Sequence, residues 1–288
     1  MKHLGVKKAP HRSTLAYANE HRPWELYQKM FYYLLAKCQP LAKGKKKFRF
    51  KNKLLSLDAS TIELCSTLFD WARFRQTKGA VHEVNIARDL TFPKGSILAI
   101  DRGYTDYSLF ARWTDTGVYF VTRQKDNASY RVIEEKTVPT NRHILKDEVI
   151  CFIGYYARTS CPHPLRRIEV DDVENNRVIA LLTNHLEFGA TTIACIYQDR
   201  WQIETFFKTL KQNLKIKTLV GTSCNALFIQ IGIALITILL LKYLQFQSTL
   251  SWPLSTLVAL LRYHLFTYRD RWLWINHPFE VPVIASEE

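Results

Sequence analysis

Two short apolar segments decide the fold class: residues 54–58, LLSLD, and residues 97–101, ILAID. Each is a brief apolar run that stops at an aspartate. Runs of this length, bounded by polar residues, are typical of buried strands. We therefore expect two strands of an α/β sheet, with the carboxylates of Asp58 and Asp101 at their exits.

The longest helical pattern covers residues 191–214, TTIACIYQDRWQIETFFKTLKQNL. At about 100° per residue, Tyr197, Arg200, Glu204 and Lys211 fall within about a sixth of a turn. A separate apolar arc predicts packing on a sheet; it holds Ile203, Phe206, Phe207, Leu210 and Leu214. The polar stripe also fits an ordinary solvated face with an Arg200–Glu204 pair at i,i+4, and spacing alone leaves both interpretations open.

Asp58, Asp101 and Glu204 form the candidate catalytic set. Neighbouring strands would bring the two aspartates together, and a helix packed across the sheet would add Glu204. Three carboxylates supply oxygen ligands for two Mg²⁺ ions about 3.5–4 Å apart, as phosphoryl transfer requires. Each aspartate alone also fits a structural role, Asp58 as a helix cap and Asp101 in a turn.

The rest of the chain alternates between helical and β-rich patterns. Residues 12–38 predict one or two helices starting near Ser13 or Thr14, and residues 82–90 predict another. Short β-rich segments follow between residues 117 and 184, namely GVYFVTR, YRVIEE, EVICFIGYY, LRRIEV and RVIALLTN. The basic run of residues 43–53, KGKKKFRFKNK, fits a solvated loop or a phosphate-contacting patch equally well.

Composition points to a globular chain with a polyanionic partner. Its 288 residues are 47% hydrophobic and carry 40 Lys and Arg against 26 Asp and Glu, a net charge of +14. Such a surplus favours nucleic acid or an anionic membrane surface. The six cysteines lack metal-site spacing and the first residues lack a secretion signal, so we expect free thiols in the cytoplasm.

One apolar segment, residues 226–241, raises the question of a membrane span. It is shorter than the roughly 20 residues that a spanning helix needs, and it contains Gln230 and is closed by Lys242. We expect a buried core helix and no membrane partner. The sequence has neither paired histidines of a zinc site nor a GxxxxGK[ST] nucleotide-binding loop, and its tryptophans, Trp201 among them, are expected mainly in the core.

With these residues in place, the chain resembles the insertion-sequence-four family of DDE transposases. The family signature is Tyr, two residues, Arg, three residues, Glu, six residues, Lys, and Tyr197, Arg200, Glu204 and Lys211 match it without a gap. LDAST around Asp58 and AIDRGYTDY around Asp101 resemble the two aspartate motifs. VYFVTR and LLTN are similar to the strands of the family's insertion, and the resemblance runs from about residue 12 to 242.

The resemblance implies an RNase H-like fold, a mixed sheet flanked by helices with a β-rich insertion before the glutamate-bearing helix. It implies Mg²⁺- or Mn²⁺-dependent cleavage at transposon ends and strand transfer into target DNA. Asp58, Asp101 and Glu204 would be the metal ligands and catalytic residues, while Tyr197, Arg200 and Lys211 would contact DNA phosphates. Transposon-end and target DNA are the expected partners, with a homodimer on paired ends in a bacterial cytoplasm, associated with the nucleoid.

Two departures from the family pattern lead to a further hypothesis. The family has a helical N-terminal domain before the segment that starts here, so we expect recognition of the element end to be impaired. At residues 78–82 the family forms two strands that this sequence lacks, which would leave the Asp58 strand with an exposed edge. An internally deleted copy that binds DNA with little or no turnover is therefore the alternative to an active transposase.

These patterns divide the chain into five segments. Residues 1–53 form an N-terminal helical segment and basic loop, and residues 54–123 the first part of the catalytic core. The β-rich insertion covers residues 124–190. The glutamate-bearing helix and the apolar core helix follow in residues 191–246, and residues 247–288 form a C-terminal tail.

Overall fold

The computed structural model describes residues 10–42, 48–58, 83–140, 142–213, 223–264 and 270–277, without the side chains of 42, 83, 209–213 and 271. Described residues from Phe50 to Phe207 form one unit, the sheet unit. Those before Phe50 and those from Lys208 onward form a second, the helical unit.

Both predicted aspartate strands are present with the expected bounds. β1 (Leu54–Leu57) and β2 (Ile97–Ile100) are parallel neighbours, and Leu57 is paired with Ile100. All four residues of β2 are buried, whereas β1 is only partly buried. The difference arises because β1 pairs with β2 alone among the described residues, so one of its sides has no strand beside it.

The β-rich segments form five further strands of the same sheet. They are β3 (Tyr119–Arg123), β4 (Tyr130–Glu135), β5 (Ile144–Phe152), β6 (Leu165–Asp172) and β7 (Arg177–Thr183). In the described chain the order is β1-β2-β3-β7-β6-β5-β4, with β1, β2 and β3 parallel and the remaining pairs antiparallel. The strands of the insertion therefore continue the sheet of the core through the β3–β7 pair.

Helices cover both faces of this sheet. Besides α3 (Glu83–Asp89), α4 (Tyr107–Asp115) buries Leu109, Phe110 and Trp113 in a core with Leu98 and Ile100 of β2. α6 (Ala190–Asp199) packs against β2 and β3, with Ile193 and Ile196 fully buried. A mixed sheet flanked by helices is the RNase H-like arrangement predicted from the sequence.

A short helix interrupts one predicted strand. The segment EVICFIGYY was expected to be extended throughout, but β5 ends at Phe152 and α5 (Tyr155–Ser160) begins three residues later. Gly154 precedes the helix with open space where a side chain would project. Tyr155 and Tyr156 are consequently exposed instead of alternating across the sheet.

Buried ion pairs support the β5–β6 part of the sheet. Arg166 donates to both carboxylate oxygens of Asp147, at 2.7 and 2.6 Å, with both side chains at least 96% buried. The same guanidinium donates to the carbonyls of Leu186 and Phe188, in the loop that leads into α6. Burying two charges is tolerable because each has several hydrogen bonds.

The helical unit contains α1 (Arg12–His21), α2 (Glu25–Ala42), α8 (Cys224–Gln247), α9 (Leu254–His264) and α10 (Arg271–Asn276). One or two N-terminal helices were predicted, and the structure has two. The predicted caps are wrong, because the His11 ring, not Ser13 or Thr14, accepts the hydrogen bond at the start of α1.

The apolar helix α8 is longer than predicted. Neighbouring residues at both ends of the 226–241 segment are helical too, giving 24 residues, so the argument that it is too short to span a bilayer is wrong. By length and composition α8 is able to cross a membrane. In this unit it packs on α1, α2 and α9 and buries Ala226, Ile229, Ala234, Ile238 and Leu241.

The hypothesis of missing strands concerns residues 78–82, which lie outside the described residues. The same is true of the segment after Asp58 that would decide whether this aspartate caps a helix.

Candidate active site

Asp58 and Asp101 lie at the same end of two paired strands. Each directly follows a strand, and the preceding residues, Leu57 and Ile100, are register partners. Neighbouring strands are about 4.8 Å apart, and matched positions of parallel strands project to the same face. The sheet thus places the two aspartates side by side, an arrangement that we call the carboxylate edge.

Asp101 also fulfils the structural role suggested for it. One of its oxygens accepts a hydrogen bond from the Gly103 backbone N–H at 3.1 Å and caps a single 3₁₀ turn, Arg102–Tyr104. Its other oxygen, Oδ1, lies 3.9 Å from Nη2 of Arg200. The turn therefore fixes the carboxylate while leaving one oxygen directed at the helix across the sheet.

The helix predicted for residues 191–214 is divided at Arg200, which corrects the expectation of one continuous helix. α6 ends at Asp199 and α7 (Trp201–Asn213) begins two residues later. Around the break, the N–H groups of Arg200 and Ile203 donate to carbonyls three residues back. Such tight 3₁₀ turns inside helices often mark functional positions.

Arg200 is the centre of the site. Its side chain is only 4% exposed, yet Nη2 donates to Oε1 of Glu204 at 2.6 Å and lies near Asp101. Both distances start from Nη2, so the two carboxylate oxygens are at most about 6.5 Å apart, the sum of 3.9 and 2.6 Å. One buried guanidinium thus lies close to two carboxylates, one at the end of a strand and one on a helix.

Two nitrogens of the same guanidinium, Nε and Nη1, are buried without a hydrogen-bond partner in the described chain. A buried charged donor in this state is costly, because it has given up water and gained nothing in exchange. Burial by itself would lower the Arg200 pKa, but Glu204, Tyr197 and Asp101 raise it above its ordinary value. Arg200 therefore remains a cation with unused donors.

Tyr197 lies on the helix turn before Arg200. It is 8% exposed, and the guanidinium carbon of Arg200 is 5.5 Å from its ring centre. Burial raises the Tyr197 pKa, and Asp101 adds to the effect, while Arg200 and Arg123 oppose it. The phenol is therefore protonated at neutral pH and able to donate a hydrogen bond.

Sequence reasoning missed two neighbours of this site. Arg123, at the end of β3, acts electrostatically on Tyr197, because α6 packs against β3. Trp201 was expected in the core but is 50% exposed, with the Arg200 guanidinium 5.9 Å from its ring. The sequence did contain a signal that Trp201 lies near the site, because this residue directly follows Arg200 of the family signature.

The structure brings Asp101, Tyr197, Arg200 and Glu204 together and places Asp58 beside Asp101. The side chain of Lys211 lies outside the described residues. Among the described residues, no three His, Cys, Asp or Glu side chains approach closely enough to form a metal-binding group. The donors are nonetheless carboxylate oxygens, the type that Mg²⁺ prefers, and Arg200 already places a positive charge between two of them.

Comparison with known proteins identifies the family. Residues 39–240 match the family of transposase DDE domains. The chain belongs to this family. That range contains Asp58, Asp101 and Glu204, the three carboxylates predicted from the sequence.

Individual relatives are also transposases. A protein described as transposase y4zB of Sinorhizobium fredii is 29% identical over 197 residues, 67% of this chain and 55% of that protein. The transposase of insertion sequence element IS5377 from Geobacillus stearothermophilus is 25% identical over 263 residues, 83% of this chain and 68% of the relative. One for element IS4SA of Synechocystis is 28% identical over 157 residues, 53% and 42% of the two chains. The matched regions thus span 42–68% of these relatives.

Proposed function

We propose that this chain catalyses metal-dependent DNA cleavage at the ends of an insertion element and joins those ends to target DNA. Asp58, Asp101 and Glu204 are the catalytic carboxylates. The observation that carries the proposal is the position of Arg200, which joins Glu204 to Asp101 at the carboxylate edge. Burying a cation is unfavourable, and a helix that served only for packing would not require one at this position.

The three carboxylates would hold Mg²⁺ or Mn²⁺. The bound ions would activate the attacking oxygen and stabilise the leaving oxygen of the phosphodiester. The chain's own contribution is to hold the carboxylates in place, through the Asp101 cap on Gly103 and the Arg200 bond to Glu204.

Arg200 and Tyr197 would bind a phosphate next to the scissile bond. The unpartnered Nε and Nη1 of Arg200 are two charged donors that phosphate oxygens would satisfy. Tyr197 adds a phenol that stays protonated because burial raises its pKa. Lys211 is proposed as a third phosphate-binding residue, and only its place in the family signature supports this role.

DNA is the proposed partner, both as element ends and as target, and the +14 charge of the chain favours it. We further propose a homodimer on paired ends, acting in a bacterial cytoplasm. A copy that binds DNA without turnover is the second candidate, because β1 has one strand partner among the described residues and is only partly buried.

A joining assay separates these candidates. Purified protein is incubated with Mg²⁺, duplexes carrying the element ends and a supercoiled target plasmid. Asp101→Asn and Glu204→Gln are expected to lower joining by about 10²-fold or more, because each removes a charge from the metal site. Asp89→Asn and Glu174→Gln, on exposed acids outside the site, should leave it unchanged.

Each outcome decides between the two candidates. Equal joining by the wild type and both site variants would overturn the catalytic assignment. A wild type that binds the duplexes but yields no cleaved or joined product in Mg²⁺ or Mn²⁺ would identify the binding-only copy.

A further inference from the structure

At the end of β1 and β2 opposite to the carboxylate edge, the sheet unit has a small basic cavity of about 330 Å³. Two loops form it, one leading into β1 and the other into β2. Its lining consists of Lys51, Asn52, Lys53, Pro93, Lys94, Gly95 and Ser96. We call it the lysine cavity.

The charged residues that line the lysine cavity are all basic. Lys51, Lys53 and Lys94 are exposed, and none of the lining residues is acidic. Three like charges on one small cavity repel one another, and an anion bound there would relieve the repulsion. The arrangement therefore favours binding of a multiply charged oxyanion such as a phosphate group.

The backbone that supports these lysines is fixed. Asn52 Nδ2 donates to the Gly95 carbonyl at 2.7 Å, joining the two loops, and the Ile97 N–H donates to the Lys53 carbonyl at 2.9 Å. Gly95 has φ +82°, a left-handed conformation that residues with a side chain rarely adopt. The fold of the sheet unit thus determines the backbone positions of the lysines.

Ser96 supplies an independent observation. It lines the lysine cavity and is 1% exposed, yet its hydroxyl has no hydrogen-bond partner among the residues that the structure describes. A buried hydroxyl without a partner is unfavourable, because it has lost its hydrogen bonds to water and gained none in the protein. A phosphate oxygen is an acceptor that would satisfy this donor.

We infer that the lysine cavity binds a backbone phosphate of duplex DNA, at a place separate from the carboxylate edge. The inference rests on the proposed function for the identity of its ligand. Ser96 and Asp101 are at opposite ends of β2, five residues or about 16 Å apart along the strand, so one phosphate cannot occupy both places. The lysine cavity thus holds a second segment of DNA backbone and contributes affinity without chemistry.

The test is the salt dependence of binding to a duplex oligonucleotide of arbitrary sequence, measured by fluorescence anisotropy in EDTA. Each lost phosphate contact lowers the slope of log affinity against log salt by about 0.9. The triple variant Lys51→Gln, Lys53→Gln, Lys94→Gln is expected to lower it by about 2–3. The matched control replaces three exposed lysines elsewhere, Lys29, Lys37 and Lys146, and should lower it by less than about 1.

Ser96→Ala tests the cavity at constant charge. Removing an unsatisfied buried hydroxyl should leave the melting temperature unchanged or higher, while DNA affinity falls several-fold. Equal slopes for the two triple variants would overturn the inference, as would a Ser96→Ala protein that binds DNA as tightly as the wild type. Neither result bears on catalysis, because EDTA removes the metal, so the joining assay and this test fail independently.

Discussion

At the scale of single residues, Arg200 shows how one side chain organises a site. Its burial is unfavourable on its own, but the bond to Glu204 and the approach to Asp101 offset part of the cost. The remaining donors, Nε and Nη1, stay unsatisfied in the described chain. The phosphate proposed to bind there would satisfy both donors.

Asn184 illustrates the opposite case, a motif residue with a structural role. Its side chain accepts a hydrogen bond from the Phe120 N–H at 2.9 Å and donates to the Val118 carbonyl at 2.9 Å. It also donates to the Thr114 hydroxyl at 3.0 Å. Asn184 of the LLTN motif therefore joins the end of β7 to β3 and α4. Its role in this structure is to hold these elements together.

His185 makes the stability of the sheet unit dependent on pH. Its ring lies between Tyr119 and Phe188, and Nδ1 accepts a hydrogen bond from the Phe188 N–H at 3.2 Å. Burial lowers the His185 pKa; Glu187 opposes this, and Arg166 adds to it. The unfolded chain therefore takes up a proton at higher pH than the folded protein, near the ordinary histidine value of about 6.5.

We consequently expect the free energy of unfolding to fall as the pH drops below about 6.5, until the folded histidine also titrates. In His185→Asn, the side-chain oxygen keeps an acceptor for Phe188 but cannot titrate, so part of this loss should disappear. Urea unfolding at several pH values measures it. His143→Asn, on an exposed histidine with φ 56° that asparagine tolerates, is the control. An identical pH dependence in all three proteins would contradict the prediction.

At the scale of elements, the position of each helix depends on a few close contacts. In the helical unit, the Asn225 side chain donates to the carbonyls of Asn19 and Arg22 at the end of α1, at 2.9 and 2.8 Å. Along α8, Gly232 faces Tyr27 of α2 so closely that a Cβ on the glycine would lie 2.9 Å from the Tyr27 Cβ. The glycine thus sets the distance between the two helices.

Gly232→Ala should therefore destabilise the helical unit. Alanine gains about 1 kcal/mol of helix propensity over glycine, but overpacking typically costs 1–3 kcal/mol, and the atom it meets is close to the backbone. We expect a lower melting temperature in circular dichroism at 222 nm. Gly154→Ala, where the new Cβ meets nothing within 4 Å, should change it little. A Gly232→Ala protein that melts above the wild type would show that the helices separate without cost.

At the scale of the whole molecule, two properties of the chain suggest different ways of meeting a membrane. A net charge of +14 attracts any polyanion, and α8 is long and apolar enough to enter a bilayer. The contacts of α8 favour a packed helix, since they extend from Asn225 at one end, past Gly232, to the Leu239 carbonyl, which accepts a weak hydrogen bond from the Cys38 thiol. Insertion would forfeit all of these contacts.

We therefore expect membrane association to be electrostatic and reversible. Flotation with vesicles containing phosphatidylserine should recover the protein at low salt and release it at high salt, because screening removes the attraction. Pure phosphatidylcholine vesicles, which carry no net charge, should not recover it at either salt concentration. Protein that remains on both kinds of vesicle in high salt would indicate that α8 inserts.

The sequence by itself determined the strands ending at Asp58 and Asp101, the β-rich segments and the helical signature around Glu204. These features depend on local periodicity, which each segment carries in its own residues. Sequence reasoning failed at the division of the 191–214 helix at Arg200, at the start of α5 and at the length of α8. Helix ends and breaks depend on contacts that periodicity does not record.

Only the tertiary structure decided which functional groups meet. The pairing of β1 with β2 places Asp58 beside Asp101, and the crossing of α6 over β2 and β3 brings Arg200 between Asp101 and Glu204. The same sheet collects Lys51, Lys53 and Lys94 at its opposite end. These residues are up to about 150 positions apart, and only packing of the sheet against its helices sets the distances on which the interactions between their charges depend.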